Sequence, residues 1–77
     1  MKKRIMEMLK DIRPEFEFEG VENFFEEGML DSFDLVTLVS TLQEEYSVKI
    51  PGEAILPENF VNVDAIVALM EKSGAKA

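Results

Sequence analysis

The side chains in this sequence that could take part in chemistry are hydroxyls and carboxylates, because its 77 residues include neither cysteine nor histidine. That absence removes thiolate nucleophiles, disulfides, thiolate metal sites and the side chain that titrates nearest neutrality. A self-contained active site is therefore not expected, and the protein is read as something other than an enzyme. The carboxylates form no Asp-x-Asp-x-Asp-Gly loop with a distal Glu, so no metal site is expected either. The informative segment is Gly28-Met29-Leu30-Asp31-Ser32-Phe33-Asp34-Leu35. Asp31 is placed to cap a helix by accepting a backbone N–H, and Asp34 adds negative charge at the positive end of the helix dipole. Ser32 then falls in the first turn. Taken alone, Asp-Ser before a periodic apolar run is an ordinary helix start.

The helix that must position these residues is marked by Leu35, Leu38, Val39, Leu42 and Tyr46, which share one arc of roughly 100° at helical spacing. Phe33 points away from that stripe, onto a polar face with Thr37 and Ser40. Two readings fit: an exposed docking contact, or a ring folded back onto the preceding loop near Phe25 or Met29.

Around this helix the sequence predicts an all-α fold, a small four-helix bundle with three main helices, one short helix and a long first loop. Ile5, Met8, Leu9 and Ile12 form the stripe of a first helix within residues 1–13, ended by Pro14. Residues 15–30 are read as an ordered loop. Phe16 and Phe18 alternate as in a strand but have no partner run, Phe24, Phe25, Met29 and Leu30 pin the loop to the helices, and Gly20 and Gly28 mark turns. After the central helix, Ile50 anchors a turn before Pro51, and Pro57 to Phe60 suits one short helical turn with Pro at its first position. The last helix runs from about Val63 to Lys72, capped by Asn62, with Val63, Ile66, Val67 and Met70 inward and Val61 and Ile66 placed as a hydrophobic staple. Residues 1–73 are expected to form a single domain and residues 74–77 a frayed tail after Gly74.

Charge is unevenly distributed. Residues 1–13 hold five basic and two acidic groups, net +3, whereas residues 14–71 hold one basic and fourteen acidic groups, net −13, within a chain total of −8. Such a middle segment repels nucleic acid and anionic lipid, and it steers association toward proteins with basic docking patches. Self-repulsion should also leave the fold marginal at low salt. No apolar run approaches a membrane span and no secretory signal is visible, so a cytoplasmic protein that is not membrane-embedded, and a monomer, are expected.

Asp31-Ser32-Phe33-Asp34-Leu35-Val36, opening a helix in mid-chain, resembles the Asp-Ser-Leu signature of the acyl carrier proteins. The likeness extends through Glu44-Glu45-Tyr46 to Ile50-Pro51, and the helix plan covers residues 1–73. The resemblance implies that Ser32 receives a covalent 4′-phosphopantetheine arm from coenzyme A through a phosphopantetheinyl transferase, with Asp31 helping to position the transferase and its metal ion. It implies that the arm holds an acyl or aminoacyl group as a thioester. Phe33, Asp34, Val36, Thr37 and Ser40 would meet the transferase and the activating and acyl-transferring enzymes of fatty-acid, polyketide or related biosynthesis. A phosphodiester there would lie where free N–H groups and the helix dipole favour an anion. The sequence departs from the fatty-acid pattern at Thr37, Ser40 and Gln43, which dilute the usual acidic and methionine stripe. Phe24-Phe25-Glu26-Glu27-Gly28-Met29-Leu30-Asp31-Ser32 is more similar to D-alanyl carrier proteins of teichoic acid modification and to other specialised aminoacyl or acyl carriers. An unmodified acidic interaction module, with Ser32 only a cap residue, is the competing class.

Overall fold

In the computed structural model, which describes residues 1–75, the spacing of Ile5, Met8 and Leu9 becomes the buried face of the first helix, α1 (Lys2–Ile12). Arg13 leaves helical geometry at φ −134°, ψ 79°, as a residue before proline must, while its N–H still reaches the Leu9 carbonyl. Helix α2 (Ser32–Tyr46) buries Leu35, Leu38, Val39 and Leu42, and α3 (Val63–Lys72) buries Val63, Ile66, Leu69 and Met70. Val67, expected inward, is only half-buried, and Leu69 takes the core position instead. Asn62 caps α3 as its side-chain chemistry predicts, with Oδ1 accepting from the Ala65 N–H at 2.8 Å.

Among the described residues the expected count of four helices becomes three α-helices and two short 3₁₀ helices, Gly52–Ala54 and Pro57–Phe60. The second is the short turn foreseen at Pro57; the first was not foreseen. At three and four residues neither can close an i to i+4 ladder, so both settle into the tighter pitch.

Ion pairs at both ends fix the direction of α1 against α2. Arg4 near the start of α1 bridges to Glu45 at the end of α2, and Arg13 just past the end of α1 bridges to Asp31 and Asp34 at the start of α2. The two helices are antiparallel. Lys2 pairs with Asp64, which sets the start of α3 beside the start of α1.

The α1–α2 loop is part of the core rather than a tether. No strand forms among the described residues; Phe18 is instead buried edge-on against Phe24, with ring centres 5.1 Å apart at 89°. Phe16 lies half-buried beyond it. Asn23 Oδ1 accepts from the Phe25 and Glu26 N–H groups, and Gly28, at φ +73°, reverses the chain so that the Met29 N–H reaches the Phe24 carbonyl. The loop is also stitched to the start of α3: the Phe24 N–H donates to the Val61 carbonyl at 2.6 Å, and Asn62 Nδ2 donates to the Glu22 carbonyl at 3.0 Å. The radius of gyration, 11.2 Å, matches the value of about 11.5 Å for a folded chain of this length, so the loop lies on the body.

Gly74 closes α3, and Ala75, expected in the frayed tail, is hydrogen-bonded to it. At φ +97° Gly74 donates to the Glu71 carbonyl, and buried Ala75 donates to the Met70 carbonyl at 2.9 Å, which is the paired closure of a Schellman cap. Lys76 and Ala77, also expected to fray, lie outside the described residues.

Candidate functional site

The first turn of α2 is locked before any ligand is considered. Asp31, extended at φ −128°, ψ −172°, accepts the Asp34 N–H on Oδ1 at 3.0 Å, while its own N–H donates to Asp34 Oδ2 at 3.1 Å. This is a reciprocal capping box, with Asp where Glu or Gln is usual. Ser32 is the first helical residue and is exposed. Its hydroxyl takes no side-chain hydrogen bond among the described residues. Around it, first-turn N–H groups that lack a carbonyl four residues back leave a partial positive charge.

Arg13, which local sequence patterns did not single out, closes this box from outside. Its Nε donates to Asp34 Oδ2 at 2.8 Å, Nη2 to Asp31 Oδ2 at 3.2 Å and Nη1 to Glu15 Oε2 at 3.4 Å. The N–H of Asp34, and with it the Arg13 guanidinium, hold the Asp31 carboxyl below its ordinary value against an opposing desolvation. Hydrogen bonding to Asp34 and its charge keep Arg13 protonated still more firmly than usual.

The outer face of α2 presents Phe33 at 85% and Val36 at 63% exposure, with Thr37 and Ser40 also exposed. Phe33 does not fold back onto the loop: Met29 is buried without it and Phe33 stands in solvent. Asp34, expected to face partners, is turned inward, its side chain 13% exposed and held by Arg13. Gln43 is likewise off this face. Its Oε1 accepts the Ile50 N–H at 2.8 Å, which fixes the turn after α2. A surface groove lined by Lys2, Met6, Val21 and Val63 lies at the opposite end of α1 from Ser32. Among the described residues no cluster of three or more carboxylates is arranged to hold a metal ion.

The family model for the phosphopantetheine attachment site matches residues 3–70, nearly the whole chain. The chain belongs to that family. As a phosphopantetheine-binding domain it is a carrier, and the domain is the place of covalent 4′-phosphopantetheine attachment. Domains of this family are generally non-catalytic and interact with partner enzymes. An exposed Ser32 in the locked first turn of a helix, with no side chain among the described residues hydrogen-bonded to its hydroxyl, fits a phosphodiester. No helix among the described residues is long and apolar enough to cross a membrane.

Proposed function

We propose that Ser32 Oγ is the attachment atom and that this carrier holds an acyl or aminoacyl group as a thioester, presenting it in turn to the enzymes that load and consume it. The observation that carries this reading is the exposure of an unbonded Ser32 hydroxyl between the two halves of a closed capping box. In the attachment step the Ser32 oxygen forms a bond to the pantetheine-side phosphorus of coenzyme A. The pyrophosphate bridge breaks, adenosine 3′,5′-bisphosphate leaves with the electron pair, and the hydroxyl proton passes to a base of the transferase. The arm supplies a terminal thiol, which this cysteine-free chain lacks.

Partners meet the carrier on the outer face of α2, where Phe33 and Val36 offer an apolar centre and Thr37 and Ser40 a neutral border. Anionic residues steer the approach from a distance, but the carboxylates nearest Ser32 are already paired with Arg13, so the close contact calls for an apolar pocket.

The test is direct. Purified wild type and Ser32→Ala are incubated with coenzyme A, Mg²⁺ and a broad-specificity phosphopantetheinyl transferase, and intact masses are recorded. One phosphopantetheine adduct on wild type and none on the variant is expected; an adduct that persists on Ser32→Ala sinks the assignment. Loading the holo form with enzymes that activate D-alanine, other amino acids or fatty acids then separates the cargo classes.

A further inference from the structure

We infer that Arg13 is a positioning residue for the modification of Ser32: it holds the first turn of α2 closed and offsets its two carboxylates while coenzyme A approaches. The inference rests on Ser32 being the attachment residue.

Arg13 belongs to a different element from the turn it holds. One guanidinium reaches both halves of the capping box, and Asp34 Oδ2 accepts from Arg13 Nε and from the Asp31 N–H together. Asp31 divides its carboxylate the other way, Oδ1 to the Asp34 N–H and Oδ2 to Arg13 Nη2. Without the guanidinium, two carboxylates would face each other with no cation between them. Asp34 is shielded, its side chain being 13% exposed, so water can screen that repulsion only from the side of Asp31, whose side chain is 57% exposed. One of the two reciprocal bonds would slacken, and Ser32 lies between them in sequence. Its hydroxyl has no other side-chain anchor among the described residues, so its position follows the box.

Coenzyme A brings a pyrophosphate to a turn that carries two carboxylates, and like charges at close range disfavour the approach. Arg13 places a permanent positive charge beside them.

Arg4 provides the internal control. It ties the same two helices at their other end through Nη2 to Glu45 at 3.1 Å, while its Nη1 donates to Glu7 within α1, also at 3.1 Å. An ion pair between α1 and α2 is therefore present at both ends, but only one of them touches the Ser32 turn.

Initial rates of phosphopantetheine transfer, read by intact mass, are measured for wild type, Arg13→Gln, Arg13→Lys and Arg4→Gln at several carrier concentrations, each protein first checked for native helicity. Arg13→Gln is expected to lose about tenfold or more in kcat/KM, mainly in kcat, since misplacing a reacting group raises the barrier more than it weakens docking. Arg13→Lys should recover only part of this, because an ammonium cannot make the forked contact. Arg4→Gln should react like wild type. Should Arg13→Gln fail to fold, Arg13→Lys against Arg4→Gln carries the comparison. An Arg13 variant modified at the wild-type rate, or an Arg4 variant slowed equally, overturns the role of Arg13 alone. An adduct that survives Ser32→Ala overturns the attachment assignment and this inference with it.

Discussion

Arg13 Nε and Asp34 Oδ2 meet at 2.8 Å and join the end of α1 to the first turn of α2 across a loop that contains most of the protein's aromatic residues. Through that contact the long loop, the two antiparallel helices and the Ser32 turn form one mechanical unit. The consequences can be measured at several places.

Phe24 and Phe33 should separate stability from recognition. Phe24 is fully buried, and Phe24→Ala is expected to cost about 3–5 kcal/mol, most of the stability of a domain this small. Phe33 is 85% exposed, and Phe33→Ala should change stability by less than about 0.5 kcal/mol while slowing transfer to partner enzymes. Urea unfolding together with partner turnover checks both; a Phe33→Ala protein with full turnover would remove the apolar docking contact.

Acid should act through Asp31. Its folded-state value lies below the ordinary 3.8, so its contribution to stability is complete above that pH and is lost as pH falls through the depressed folded value. Asp31→Asn should be less stable than wild type at pH 6, and the gap should narrow toward pH 3. Urea midpoints across that range would show it, and a gap that widens on acidification contradicts the sign.

Tyr46 buries its hydroxyl oxygen with no hydrogen-bond partner among the described residues. Tyr46→Phe should therefore be neutral or stabilise by about 1 kcal/mol. Burial first, and the neighbouring Glu45 charge next, raise the phenol above 10.0, so the fold favours the neutral form. The stability tied to that neutral form is present below pH 10 and is lost as pH rises past it. The Phe variant should have the flatter alkaline limb in thermal melts recorded from pH 8 to pH 11.

Salt addresses the net charge of −13 across residues 14–71, set by one basic and fourteen acidic groups. The Arg4 and Lys2 ion pairs are exposed and contribute little, so screening the repulsion outweighs screening the pairs. Moving from a few millimolar salt to physiological ionic strength should raise the melting temperature. A flat or falling curve would mean that the surface pairs already balance the repulsion.

Helix positions were legible in the sequence wherever a stripe and a cap agreed. Asp31, Asn62 and Gly74 mark their boundaries because each satisfies backbone groups within a few residues of itself. Phe18 was not legible: its alternation with Phe16 suggests a strand, and only the fold reveals that its partner is the ring of Phe24. Gln43 reads as a surface residue by periodicity, yet its amide is taken by the Ile50 N–H, a contact set by the turn that follows. Periodicity turns Phe33 off the core stripe but leaves open whether its ring folds back onto the loop, whereas the cap and the place of Ser32 in the first turn follow from local rules. The Arg13 clamp does not, because no spacing along the chain announces a contact between residues 13 and 34.

The stitch from the Phe24 N–H to the Val61 carbonyl bears on how the molecule assembles. Its three helices can each wind in about a microsecond from neighbouring residues alone. The bond between residues 24 and 61 must instead wait for a long stretch of chain to close on itself, with the entropy that closure removes. Closing the aromatic loop is therefore expected to be slower than winding the helices. Proteolysis of a half-assembled chain should begin in that loop.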